Sequence, residues 1–266
     1  MKILVTGSRG FIGQNLIQYL SLDHTLEYFE WGDRLPDIAK YQWVIHLGAI
    51  TSTIERDVEK IMSQNYDFSH WILDRCLKYN VNLQYSSSAS VYGLSREFRE
   101  DGHVDPRSPY AWSKYLFDRD VTKLLTQKNL NIRIQGFRYF NVYGPHEDHK
   151  HDQASPFHKF RQQAITTGVI KLFYGSHHYH RDFVSVEQVC DIHEKFLNID
   201  DSGIWNVGTG NTRNFQSIAD EVAKDTGARI EYVEMPESIR SQYQVYTCAD
   251  LTKLNKTLKN SRYTEN

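Results

Sequence analysis

The sequence has 266 residues, with Lys+Arg 31 against Asp+Glu 33 and a formal net charge of −2. That length holds one large domain or two interlocked ones and can bury a sizeable core unaided. The charge balance argues against a nucleic-acid or anionic-membrane partner, and no apolar run approaches the ~20 residues that cross a bilayer.

The chain opens directly on a strand, so no secretory leader is expected. Lys2 to Thr6 is a short apolar run ending in glycine. Phe11, Ile12, Leu16, Ile17 and Leu20 then repeat at helical spacing. A second strand is predicted over 26–30 and a third over 43–47. The stretch 36–41 between them has room for one short helical turn. A long helix follows over 58–79, a strand over 83–87 that runs into serines, a helix over 110–125 and a strand over 131–140. Strands alternating with helices imply parallel βαβ units. After Gly144-Pro145 a polar, His-rich loop reaches about 153. Helices are then predicted over 156–166, 186–197 and 215–225, with strands over 171–174, 181–184, 205–207 and 230–233. The expected fold is α/β: a Rossmann-type doubly wound parallel sheet with a smaller C-terminal α/β cap. Residues 1–145 plus about 181–207 would form the dinucleotide-binding domain, and about 146–180 plus 208–266 the substrate-binding cap. The tail over 256–266 is polar and reads as lacking a closing amphipathic helix.

Gly7, Gly10 and Gly13 fall in Thr6-Gly7-Ser8-Arg9-Gly10-Phe11-Ile12-Gly13, after the first strand and at the start of a helix. Such a turn lets the backbone approach a pyrophosphate at the helix N-terminus, and its position makes it specific. Arg9, inside the turn, would suit a 2′-phosphate and favours NADP. Glu30 and Asp33, near the end of the second strand, keep NAD open, because an acidic residue there reads a free ribose hydroxyl.

Tyr110 and Lys114 share one helical face at i, i+4, downstream of Ser86-Ser87-Ser88. Serine, tyrosine and lysine beside a dinucleotide make a proton-transfer site for alcohol–ketone chemistry. A free phenol titrates near ~10, so a base working near neutrality needs a cation beside it. Asp148-His149-Lys150-His151-Asp152 and His177-His178-Tyr179-His180 look metal-like, but lack the helical spacing that converges ligands, and no metal is expected. Three widely spaced cysteines (Cys76, Cys190, Cys248) fit a reducing cytoplasm rather than a disulfide framework.

TGSRGFIG (6–13), HLGA (46–49), SSSASVYG (86–93), SPYAWSK (108–114), RYFNVYGP (138–145), RDFVSVEQVCD (181–191) and NVGTG (206–210) resemble the extended short-chain dehydrogenase/reductases that act on nucleotide sugars. GFRYFNVYGPHEDHK (136–150), KLFYGS (171–176), HRDFV (180–184) and YQVYTCADLTKL (243–254) resemble, within that superfamily, the ADP-L-glycero-D-manno-heptose 6-epimerases. The resemblance implies inversion at C6 of ADP-heptose through a transient ketone, with a bound NADP or NAD, in a homo-oligomer. It implies Ser88, Tyr110, Lys114 and Lys150 as catalytic residues. The cofactor would meet Gly7, Arg9, Gly10, Phe11, Ile12, Gly13, Leu47, Gly48, Ala49, Asn65, Tyr110, Lys114 and Phe140. The substrate would meet Ser88, Asn141, His158, Phe173, Arg181 and Tyr243. His151-Asp152-Gln153 depart from the glycine and small residue that usually follow the lysine. Against the family the chain is also short between the second strand and Trp43, which implies a narrower sheet and a more open adenine pocket. Alternatives are an epimerase, dehydratase or reductase of a GDP- or UDP-linked sugar, and a non-catalytic NAD(P)-binding protein on the same fold.

Overall fold

The computed structural model describes residues 1–52, 55–127, 130–237 and 243–261; the side chains of 151 and 152 lie outside the described set. In chain order the elements are β1 (Lys2–Thr6), α1 (Phe11–Leu20), β2 (Thr25–Phe29), β3 (Trp43–His46), α2 (Val58–Ile61), α3 (Phe68–Tyr79), β4 (Asn82–Ser88), α4 (Pro109–Gln127), β5 (Ile134–Tyr139) and β6 (Asn141–Tyr143). There follow α5 (Pro156–Thr167), β7 (Val169–Phe173), β8 (His180–Ser185), α6 (Val186–Phe196), β9 (Gly203–Val207), β10 (Thr212–Asn214), α7 (Phe215–Thr226), β11 (Arg229–Val233) and α8 (Thr252–Asn260).

Six parallel strands form the main sheet in the order β2-β1-β3-β4-β5-β9. Alternation along a strand sends side chains to opposite faces. Leu4, Val44, Leu83 and Ile134 therefore pack with Ile72, Leu73 and Cys76 of α3 and Phe117 and Val121 of α4. Ile3, Val5 and Ile45 pack on the other face with Leu16 and Leu20 of α1 and Cys190 of α6. The order reverses direction between β1 and β3, and the crevice at such a switch point is where open α/β sheets bind ligands. As expected from the short second connection, β2 is the sheet edge, and only a short 3₁₀ turn at Ile38–Lys40 separates it from β3.

A smaller assembly lies beyond β5. It consists of the three-stranded sheet β10-β8-β6 and the pair β11-β7. Phe160 and Ala164 of α5, Ile170 and Leu172 of β7, Phe183 of β8 and Ile218, Ala219 and Val222 of α7 make its core. Ser155 caps α5 by accepting from the His158 amide, and a Ser185–Gln188 capping box starts α6, the arrangement such residue pairs favour.

Two expectations are corrected. The helix over 58–79 contains a π-helical turn at Met62–Asp67 between α2 and α3. The chain also does end in an amphipathic helix, α8, as far as Ser261; residues 262–266 lie outside the described set. Leu254 is buried in the cluster of Phe137, Val189, Phe196 and Trp205, with Leu251 and Leu258 packed against it. Thr257 completes the buried face, accepting a bond from Trp205 Nε1 at 3.0 Å. The polar composition hid a stripe one side chain wide. Leu254→Ala is expected to lower stability by about 2–4 kcal/mol with dinucleotide affinity unchanged, as checked by denaturant melts and calorimetry.

Several sequence motifs prove to be hydrogen-bonded fasteners. Buried Asp182 accepts from Thr209 N (2.8 Å), Thr209 Oγ1 (2.7 Å), Gly210 N (2.9 Å) and Ala249 N (3.0 Å), joining three distant segments. Buried Asn206 accepts from Tyr92 OH at 2.7 Å and donates to the Phe98 carbonyl at 2.6 Å. Such groups are stable inside a protein because every donor and acceptor is satisfied.

Candidate active site

The first glycine of the turn has φ +71, and a Cβ there would lie 2.6 Å from the Gly48 backbone. At Gly13 a Cβ would sit 2.1 Å from the Gly7 carbonyl oxygen. Glycine is thus required for β1, α1 and the loop after β3 to meet. No side chain caps α1 at Gly10, so its first amides stay available to an anion, and the turn fits the pyrophosphate of a dinucleotide.

These glycines line one end of a cleft of about 590 Å³. Around it stand Gly7, Gly10, Phe11, Ile12 and Gly13, then Leu47, Gly48 and Ala49, then Ser88, Tyr110, Lys114, Phe140, Asn141 and Lys150. Residues far apart in the sequence are therefore brought together. The cleft shares Asn141, Ala154 and Pro156 with a second cavity of about 770 Å³ in the smaller assembly, lined also by His158, Phe173, Phe215 and Tyr243.

Three expected contacts fall elsewhere. Arg9 is exposed and outside the lining; its amide donates to Glu30 Oε1 at 2.7 Å, as does Ser8 Oγ. Asn65, in the π-helical turn, is buried and fully engaged. Its Oδ1 accepts from Ile50 N (2.7 Å), and its Nδ2 donates to Ile50 O (2.9 Å) and Ser113 Oγ (3.1 Å). It braces the loop after β3 against α4. Arg181 is buried under the second cavity. Its guanidinium donates to the carbonyls of His180 and Gln244 and lies 5.4 Å from the Tyr243 ring and 5.6 Å from the Phe215 ring.

Tyr110 and Lys114 stand on the first turns of α4, over the end of β4. Lys114 Nζ donates to Ser86 O at 2.8 Å and lies 3.2 Å from Ser86 Oγ. Burial lowers its pKa to about 8, opposed by the charge of Asp118. Burial also pushes the Tyr110 phenol up, opposed by a hydrogen bond from Ser88. Burial thus favours the protonated phenol of Tyr110. Asp118, one turn beyond Lys114, is a residue the sequence reading missed. It accepts from Ser87 Oγ (2.8 Å), Tyr85 OH (3.0 Å) and Arg138 Nε (2.8 Å), fixing the end of β4 to α4. The spacing Tyr110, Lys114, Asp118 along one helix face was the available signal. His46 is another brace, with Thr6 Oγ1 at 2.7 Å on Nδ1 and Ser69 Oγ at 2.9 Å on Nε2; burial drives its pKa to about 3, so it is neutral.

Lys150 rises from a 3₁₀ turn (Asp148–Gln153) across the cleft mouth. Its Nζ lies 4.7 Å from the centre of the Phe11 ring and 3.9 Å from Glu147 Oε2. Burial lowers its pKa, opposed by Glu147 and aided by Lys159. Glu147, also missed, is buried and accepts from Gly144 N (3.1 Å), Ser155 N (2.6 Å) and Ser155 Oγ (2.7 Å). It closes the loop on both sides of the lysine.

Ser88, Tyr110 and Lys114 share the lining of one cleft, and residues 27–208 match the NAD dependent epimerase/dehydratase family. The chain belongs to that family. It is 39% identical to the ADP-L-glycero-D-manno-heptose-6-epimerase of Brachyspira hyodysenteriae, over 95% of this chain and 90% of that protein. In fold it is similar to the enzyme of that name from Helicobacter pylori, with TM-score 0.85 and 24% identity over 99% of this chain and 92% of the other. It is likewise similar to the UDP-glucose 4-epimerase of Thermus thermophilus, solved with NAD, with TM-score 0.79 and 24% identity over all of both chains.

Proposed function

We propose that this protein inverts C6 of ADP-glycero-manno-heptose by oxidation to a ketone and re-reduction on the opposite face. The observation that carries the reading is the pairing of Tyr110 and Lys150 in the lining of one cleft. A carbinol carbon of this kind is not acidic enough to lose its proton directly, so its inversion passes through a carbonyl. Gly7, Gly10 and Gly13 would hold a nicotinamide dinucleotide, which when bound would supply the hydride acceptor and donor. Between the two transfers the exocyclic carbon must turn over, so each orientation needs its own proton carrier. In our assignment Tyr110 OH serves one and Lys150 Nζ the other. Ser88 Oγ hydrogen-bonds the reacting oxygen, and Lys114 supports the phenolate. Asn141, His158, Phe173 and Tyr243 hold the rest of the substrate, the aromatic rings offering a face to its base. In this reading Asn65 acts by bracing the loop after β3 against α4, and Arg181 by backing Tyr243. The smaller assembly, which takes in β6 and β8 as well as α5, β7, β10, α7 and β11, supplies the substrate side in this reading, and the main sheet, on which α8 packs, the cofactor side.

The direct test is incubation with ADP-D-glycero-D-manno-heptose and NMR of the C6 configuration, with GDP- and UDP-sugars as controls. Conversion without net change in reduced cofactor supports the reading; cofactor consumption or inertness towards the heptose sinks it. Among the described residues no helix is long and apolar enough to cross a membrane, and Cys76, Cys190 and Cys248 are unpaired. A cytoplasmic homo-oligomer accords with the family.

For the cofactor we weigh Glu30 above Arg9. Glu30 lines the cleft, while Arg9 lies outside the lining. A carboxylate there accepts from a ribose 2′-hydroxyl and repels a 2′-phosphate, which favours NAD. Glu30→Ala is expected to weaken NAD⁺ about tenfold, the worth of one charge-assisted hydrogen bond, and to erase preference over NADP⁺. Arg9→Ala should change little. Calorimetric titration with both dinucleotides decides, and tight NADP⁺ binding lost in Arg9→Ala would reverse the assignment.

A further inference from the structure

We propose that Trp31 is the stacking platform for the adenine of the dinucleotide, an inference that rests on the cofactor reading above. The nucleobase is joined to the same ribose that Glu30 would hold, so it falls beside the next residue along the chain. Trp31 is that residue, and it lines the cleft. It is 54% exposed, whereas Phe29 just before it is 4% exposed. Burial elsewhere in the chain does not account for it.

The local backbone presents the indole at the tip of a closed turn. Glu30 N donates to Asp33 Oδ2 at 2.9 Å, and Asp33 N donates to Glu30 O at 3.0 Å. Gly32 takes φ +99, which lets the chain reverse directly after the tryptophan. The indole touches Phe68 edge to face, with centroids 5.3 Å apart at 88°, and among the described residues no ring stacks on it. Phe68 is itself stacked on Phe29 and Trp71, so the platform has a rigid backing. β2 is the sheet edge, and along the chain only the 3₁₀ turn at Ile38–Lys40 stands between it and β3, so that connection brings no further strand or α-helix to this end of the cleft. An aromatic face is what a base needs where no such element supplies one, since stacking is sequence-tolerant and strong.

The test is calorimetric titration of wild type, Trp31→Ala and Trp31→Phe with NAD⁺ and with nicotinamide mononucleotide, which lacks the adenosine. Trp31→Ala should bind NAD⁺ about tenfold more weakly, the order expected for loss of one base–aromatic stack. Trp31→Phe should stay close to wild type, and nicotinamide mononucleotide should not distinguish the three. NAD⁺ should also quench an indole emission present in wild type and absent from Trp31→Phe. Unchanged NAD⁺ affinity in Trp31→Ala would overturn the platform and leave the cofactor reading standing. An equal loss for both ligands would make Trp31 structural and overturn it as well. If wild type binds neither NAD⁺ nor NADP⁺, the cofactor reading falls and takes this inference with it.

Discussion

Tyr110→Phe is expected to cut epimerisation by about 10³-fold, within the range removed with a general acid–base group, while NAD⁺ affinity stays within about twofold. The variant keeps the ring and its packing and deletes one oxygen. That oxygen is not at the glycine turn that we assign to the pyrophosphate. The structure sharpens how the phenol must work. Burial holds Tyr110 protonated, and burial also holds Lys114 at about 8. Burial thus weakens the charged form of the lysine, and the buried phenol needs more than Lys114 to ionise. In the proposed mechanism Tyr110 would become a base once a further positive charge joins Lys114 in the cleft. Proton transfer is thereby tied to an occupied cleft. NMR of the C6 configuration gives the rate and calorimetry the affinity. A Tyr110→Phe enzyme with the wild-type rate would remove the residue from the mechanism.

The second large effect is expected at Lys150. Lys150→Ala should reduce epimerisation by about 10²-fold or more and again spare dinucleotide binding. The side chain sits where burial favours the neutral amine and Glu147 favours the ammonium, a balance suited to a group that both gives and takes a proton. Glu147 also fixes the loop through Gly144 and Ser155, so the lysine is placed by buried bonds rather than by a free surface turn. Single-turnover rates measured in both directions from each epimer provide the check. A full epimerase rate in Lys150→Ala would refute the assignment of two proton carriers.

What could be read from the sequence was local. The glycine turn and the Tyr110–Lys114 pair depend on spacings of a few residues, and both sets of residues line the cleft. Arg9 was expected at the ligand for the chemistry of its side chain, and Asn65 and Arg181 from the family resemblance. Where a side chain points is decided by distant partners: Ser113 for Asn65, and the Gln244 carbonyl for Arg181. Glu147 and Asp118 escaped for the converse reason, since a carboxylate in a motif shows no sign that it will be buried. The closing helix was missed because one of its two buried residues is a threonine whose hydroxyl is matched only by Trp205, 52 positions earlier.

The fasteners around Asp182 bear on how the chain acquires its shape. Asp182 and Ala249 are 67 residues apart, and Gln244, whose Nε2 donates to the Gly93 carbonyl, reaches back 151. Closing loops of that size costs entropy before any bond forms. The strands β1 to β5 pair across smaller separations, 23 to 51 positions, which favours their assembly first. The wall of the second cavity that carries Tyr243 is then a late product of folding, completed when the segment around Ala249 docks on Asp182. A chain lacking that contact would keep the pairing of β1 to β5 and lose the Tyr243 side of the second cavity.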